Sequence, residues 1–444
     1  MKHTLISLLL CASHAYANTY YVDSVGGSDT NAGTSSSTPW KTIGKVNGTT
    51  LSPGDSVLFL RGDTFSDATL TISNSGNSTS PITFADYGSG NKPIISGNAQ
   101  ARNCTHAAGK NYIAIKNIVC DHGSYGFLFD TGGSNNTVKN VESRYNYYDG
   151  ISFQGDSTHT SSNNMAAYAI SHDNGRSGVS FYTSSSGLVI NGVFYNNSAT
   201  YGTGVNYALN CDQGEVFGAV AFNNYYGIKI DTGTSNVVVD YNVVFNNSND
   251  GIDIDYAGTG NNVISNLAFK NGLHGIVVEG PSSYTEVYYN IAHDQTCSQC
   301  AGIMLDSGTS HNQVWYNLVY NNPYGVWSFG GSYDSIENNT SYGNENCVAI
   351  QNSASHETVE NNIADSCTFT TLLVDTDSTT GLLTDYNDWH DNGSNSIGYG
   401  SGSSYTYYSL SGWRTVSSQD SHSIDAAPSF VSTTSSRFQL AARV

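Results

Sequence analysis

At 444 residues, the chain is long enough for two or three ordinary domains or for one long repeat array. Its 16 Lys+Arg against 36 Asp+Glu leave a formal net charge of −20, which argues against nucleic acid as a partner because phosphates would be repelled. Disorder is excluded as well, since 38% of the residues are hydrophobic and 31 are tyrosine.

The first element in chain order is MKHTLISLLLCASHAYA. It has a basic start at Lys2, an apolar run from Leu5 to Cys11 and a small-x-small site at Ala15-Tyr16-Ala17. This pattern predicts a signal peptide over 1–17, cleaved after Ala17, and a secreted or periplasmic protein. No later run reaches the ~18 apolar residues that a membrane span needs, and a monomer is expected. Residues 18–95 form an expected N-terminal cap with the first coils, 96–375 the main repeat, and 376–444 C-terminal coils with a capping segment.

Seven cysteines follow Ala17. In an oxidising compartment some should pair. The expected pairs are Cys297–Cys300 within TCSQC, Cys104–Cys120 and Cys347–Cys367, leaving an odd thiol.

From Tyr125 onward the chain repeats a short phrase: YGF, DGI, SGV, TGV, YGI, DGI, HGI, AGI and YGV. Their glycines (126, 150, 178, 204, 227, 251, 275, 302 and 325) are spaced by 24, 28, 26, 23, 24, 24, 27 and 23 residues. Nine copies near one period mean a solenoid. The residues one and three after each glycine are mostly apolar, as in Ile228 and Ile230 or Ile252 and Ile254. Those two and four after it are mixed or polar, which predicts a short strand with alternating inward and outward faces. Four residues before the glycine stands Asn in six copies: Asn146, Asn174, Asn223, Asn247, Asn271 and Asn321. Stacked Asn side chains satisfy backbone groups at an inward corner. The predicted fold class is all-β, a parallel β-helix of about ten coils with a period near 24 residues.

In such a fold equivalent residues of adjacent coils stack about 4.8 Å apart, so the outward positions read as columns. Two after the glycine the column runs Leu128, Ser152, Ser180, Asn206, Lys229, Asp253, Val277, Met304, Trp327. Four after it the column runs Asp130, Gln154, Tyr182, Ala208, Asp231, Asp255, Glu279, Asp306, Phe329. With the residues just before the glycine, this gathers Lys229, Asp231, Asp250, Asp253, Asp255, His274 and Glu279 into one patch. Tyr182 and Tyr226 flank it on one side, Trp327 and Phe329 on the other. An acidic patch between aromatic platforms suits a sugar chain. The excursion GDSTHTSSNNM, with His159, is expected as a groove wall.

Stacked carboxylates repel one another unless something neutralises them. Lys229 neutralises one, and Ca²⁺ would neutralise more because hard cations take several carboxylate oxygens. A lysine acts as a base only when uncharged; surrounding aspartates alone hold it protonated, and a bound cation reverses that logic. These residue types therefore point to a polyuronate lyase, in which a base removes the C5 proton while the cation neutralises the sugar carboxylate.

The glycine phrases, Asn positions and outward columns resemble right-handed parallel β-helix polysaccharide lyases. The coils YGIKID and NSNDGID are similar to the DGFAxK and N-x-D-D-G-x-D motifs of family 9 pectate lyases. Tyr226 and Asn249 stand where that family has Asp, and Lys229 lies two positions early, which keeps its outward face. The resemblance implies a calcium-assisted lyase on an extracellular acidic polysaccharide, pectate before alginate. Lys229 would be its base, Asp231, Asp250, Asp253 and Asp255 its metal ligands, and His274, Glu279, Tyr182, Tyr226 and Trp327 its substrate contacts. DGIDID and LHGIVVEG also resemble phrases of polygalacturonase-type glycosidases, which implies a hydrolase using two of Asp253, Asp255 and Glu279. A uronate epimerase shares the C5 proton abstraction. A non-catalytic carbohydrate binder or adhesin would have Lys229 as an ordinary surface ion pair.

Overall fold

The computed structural model describes residues 17–197, 201–390, 395–432 and 439–440. The expected signal peptide, Ala17 apart, lies outside the described residues. Among the described residues no helix is long and apolar enough to cross a membrane.

The chain winds into a parallel β-helix whose coils contribute strands to three long sheets of 15, 15 and 14 strands. The count is therefore about 14 coils rather than ten. Coils near both ends lack the glycine phrase: Ser56–Leu60 and Ile82–Tyr87 already pair in one sheet near the N-terminus, and Leu383–Asp385 extends it near the C-terminus.

The glycine phrase opens one sheet, and its alternation holds. Ile228, Ile230, Ile252, Ile254, Ile276 and Val278 point into the core with no exposure, each worth about 1.5–3 kcal/mol when fully buried. Register follows the glycines without a slip: Asn206 pairs with Lys229, Lys229 with Asp253, Asp253 with Val277, Asp231 with Asp255, and Asp255 with Glu279. Both outward columns are thus physical neighbours.

The corners are built by asparagine. One buried ladder runs Asn146, Asn174, Asn197, Asn224, Asn247, Asn271, with each Oδ1 accepting the backbone N–H one coil earlier at 3.0–3.2 Å. Asn223 and Asn321 do not belong to it. They take left-handed backbone (φ 55° and 54°), and their neighbours Asn224 and Asn322 turn inward instead. A second ladder through Asn242, Asn266, Asn290, Asn317, Asn339, Asn362 and Asn387 serves another corner.

Of the expected disulfides, Cys347–Cys367 is formed. Cys104, Cys120, Cys297 and Cys300 are free. Cys300 Sγ is turned onto its own loop, donating to the Cys297 carbonyl at 2.8 Å and accepting its N–H at 3.0 Å. Cys104 Sγ faces the Asp121 carbonyl and Asn146.

At the third corner the Asn position is taken over by acids. Asn312 is followed by Asp334, whose Oδ1 accepts the Asn312 N–H at 2.7 Å, and one coil later by Glu357. Glu357 has no exposure; Ser328 and the Asp334 backbone face it, but neither oxygen makes a hydrogen bond of good geometry among the described residues. Burial, then the charge of Asp334, pushes its carboxyl up to about 9, so at neutral pH the folded chain keeps it protonated. A carboxyl raised in the folded state stabilises at low pH and loses that contribution as pH climbs toward the raised value. Thermal unfolding should therefore show a midpoint that falls between pH 5 and pH 9, and Glu357→Gln should remove much of the fall while leaving the pH 5 midpoint nearly unchanged.

Candidate active site

The strands Tyr226–Asp231, Ile252–Asp255 and Ile276–Glu279 carry the acidic patch. Lys229 extends across the coil step. Its Nζ lies 2.6 Å from Asp253 Oδ2 and 2.7 Å from Asp255 Oδ2, and 4.4 Å from the centre of the Tyr226 ring. Only 8% of Lys229 is exposed and none of Asp253. Burial works against the charge on Lys229, but the two aspartates outweigh it and hold the ammonium well above the usual lysine range. Lys229 is therefore a cation at any physiological pH in this arrangement.

Asp253 is stacked against Val277, which begins an apolar strip on the outer face with Ala301, Met304, Trp327, Ala349 and Leu373. This dry neighbour raises the cost of charge on Asp253. Asp253 Oδ1 is buried without a donor, and the Glu279 carboxyl lies within hydrogen-bonding reach of Asp253. Burial raises both groups. The upward push is the stronger on the fully buried Asp253, even though Lys229 works against it, so the two carboxyls favour sharing one proton. A proton held between the two carboxyls would fill the Asp253 Oδ1 lone pair that is otherwise orphaned. Asp255 and Asp306 add to the upward push on Glu279.

Asp253, Asp255 and Glu279 each offer an oxygen within 4.8 Å of the other two. This set of hard oxygens fits a divalent cation, but it differs from the expected one. Asp231 turns to its own corner, accepting the Thr232 N–H at 2.7 Å. Asp250 accepts the His274 N–H at 2.7 Å and is pushed up to about 7 by burial and then by the charge of Glu279. Neither joins the cluster, while Glu279, expected as a sugar contact, does.

Tyr182, Tyr226, Lys229, Asp231 and Asp255 line a cavity of about 570 Å³, so five of the expected residues share one groove. His274 is buried, its Nδ1 accepting the Ala301 N–H at 3.0 Å, and burial lowers it to about 4. It is a neutral ring pinning the next coil. Trp327 is set back from the groove: Tyr324 stacks on it at 4.0 Å and Phe329 meets it edge-on at 5.0 Å. His159 lies outside the groove and is held by Asp156. Arg176, absent from the outward columns because it precedes the SGV phrase, lines the same cavity as Lys229.

Residues 125–292 match the model of the right handed beta helix region. A lacto-N-biosidase from Bifidobacterium longum subsp. longum is 48% identical over 85 residues, which are 18% of this chain and 5% of that protein. The match thus spans a small fraction of the curated relative. Among solved structures, the chain is similar to a GH136 lacto-N-biosidase from Eubacterium ramulus (TM-score 0.44, 15% identity, 83% of this chain and 67% of that one). It is also similar to the mannuronan C-5 epimerase A-module of Azotobacter vinelandii (TM-score 0.43, 14% identity, 84% and 91%).

Removing the ammonium leaves Asp253 buried without a counter-ion. Lys229→Met should cost about 3–5 kcal/mol of unfolding free energy at pH 7, measured by urea titration. The loss should shrink at pH 5, where the stranded carboxyls take up protons.

Proposed function

We propose that this chain is a carbohydrate-active β-helix enzyme that hydrolyses a glycosidic bond, with Glu279 as general acid and Asp255 as the facing carboxylate. One observation carries this reading: adjacent coils bring the Glu279 carboxyl, raised by burial and its acidic neighbours, within 4.8 Å of Asp255, which is paired with the Lys229 ammonium. Glycoside hydrolysis requires two facing carboxyl groups, one to give a proton and one to meet the anomeric carbon. The 85-residue match to a lacto-N-biosidase supports the same class.

Glu279 gives its proton to the glycosidic oxygen as the bond to the anomeric carbon breaks. Asp255, which lines the groove, bonds to that carbon. Water then attacks the same carbon, Glu279 takes the water proton, and Asp255 leaves as a carboxylate. Oxygens within 4.8 Å suit a retaining pair, because inverting pairs stand about 6.5–9.5 Å apart to admit a water. Lys229 keeps Asp255 in place through its 2.7 Å contact and lies 2.6 Å from the buried Asp253 beside Glu279.

A second reading rests on the orphaned Asp253 Oδ1 and the convergence of three carboxylates. A Ca²⁺ ion held by Asp253, Asp255 and Glu279 would neutralise the carboxylate of a polyuronate and loosen the hold of the aspartates on the Lys229 proton. Lys229 would then serve as the base of a β-elimination on an extracellular acidic polysaccharide.

Purified chain incubated with a panel of neutral and acidic glycans separates the two. The hydrolase reading predicts new reducing ends with retained anomeric configuration, insensitive to chelator. Glu279→Gln should reduce kcat by about 10²–10⁴-fold. Chelator-sensitive absorbance from unsaturated uronate ends, lost in Lys229→Ala, would favour elimination instead.

A further inference from the structure

The groove does not end at the acidic cluster. Arg176 lines the Lys229 cavity and also a neighbouring one of about 660 Å³ with Tyr145, Tyr147, Tyr148 and Asp173. It stands at the junction of the two. Its guanidinium is locked on one edge by the fully buried Asp149, with Nε 2.7 Å from Oδ1 and Nη2 2.6 Å from Oδ2. Asp149 is further filled by the Ser177 N–H at 3.0 Å, Ser180 Oγ at 2.7 Å and Ser152 Oγ at 3.2 Å. The rings of Tyr182, Tyr148 and Tyr125 lie 5.3, 5.5 and 5.8 Å from Arg176 Cζ. Nη1 has no protein acceptor among the described residues, and 37% of the side chain is exposed.

A merely structural ion pair explains the locked edge. Nη2 also reaches the Tyr125 hydroxyl at 3.4 Å, but neither contact requires Nη1 to be presented where two cavities meet among tyrosines. A guanidinium fixed in plane holds the Nη1 donors in a set direction, and the exposed part of Tyr148 (38%) offers apolar ring surface to the C–H side of a sugar. Charge decides which sugar. Arg176 is neutralised by Asp149 and Lys229 by Asp253 and Asp255, while Asp173 and Asp231 add negative charge along the walls. An anionic sugar would be repelled, whereas hydroxyl oxygens are acceptors that bring no charge.

We propose that Arg176, with Tyr148 and Tyr182, is a subsite for a neutral pyranose. It lies two coils, about 10 Å, along the groove from Lys229, so the substrate is a neutral glycan extending more than one sugar from the point of cleavage. This rests on the hydrolase reading and narrows its substrate class.

The test uses the Glu279→Gln chain, so that binding is read without turnover. Neutral galacto- and gluco-configured tetrasaccharides and oligogalacturonates of the same length are titrated by calorimetry. Arg176→Lys keeps the charge and loses the fork. Tyr148→Ala removes a ring and leaves the Arg176–Asp149 pair intact, and unfolding midpoints report whether each variant is folded. The expected result is binding of at least one neutral tetrasaccharide, weakened about tenfold by each substitution, with no oligogalacturonate bound. The proposal is overturned if neutral binding is indifferent to both substitutions, if oligogalacturonates bind better and lose affinity in Arg176→Lys, or if no tetrasaccharide binds. Turnover that survives in Glu279→Gln would instead sink the acid assignment, and the calorimetric result would still decide the subsite.

Discussion

A parallel coil stacks like upon like about every 4.8 Å, and the site depends on how this chain handles that constraint. Asp231, Asp255 and Glu279 are stacked in one column, and Asp253 sits in the next. Left alone, such a ladder repels itself. A single ammonium, Lys229, reaches one coil onward and holds two of the aspartates. A column of equivalent positions thereby becomes inequivalent: Asp253 and Asp255 are paired with a cation, and Glu279, one coil further, is pushed up by burial and then by its acidic neighbours. The asymmetry that acid–base chemistry needs follows from where one lysine ends.

The rest of the scaffold is quiet by comparison. Inward isoleucines and valines fill the core, and asparagine ladders satisfy the corners coil by coil. On the outer face, the strip from Val277 to Leu373 is covered by Tyr324, Phe329 and Tyr405, so the open groove is confined to the coils before it. Val277 is also the dry neighbour that makes charge on Asp253 costly. The boundary between apolar strip and acidic column is thus part of the site's electrostatics.

Much of this was legible in the sequence. The glycine phrase carries both the period and the register, and with no bulge in these strands both outward columns are those read from the alignment. Side-chain direction was not legible. Asp231 and Asp250 share the patch by position, yet each finds a nearer backbone N–H and turns to it. Trp327 faces outward by parity, but Tyr324 covers it. Asn223 gives way to Asn224 at the corner because a run of two asparagines leaves open which one takes the left-handed turn. Arg176 lies outside the columns, and its bond to Asp149 crosses a coil, so neither residue's neighbours in the chain announce it. The end coils escaped the count because they lack the glycine phrase.

The central claim is that Glu279 and Asp253 share one proton while Lys229 is fully charged. Infrared difference spectroscopy between the wild-type chain and Glu279→Gln, at neutral pH in heavy water, tests it directly. The account predicts a protonated-carboxyl carbonyl band in the wild type that is missing in the variant. If the difference shows only the loss of an ionised carboxylate, Glu279 has no share in the proton, and the pairing of acid with carboxylate described here is contradicted.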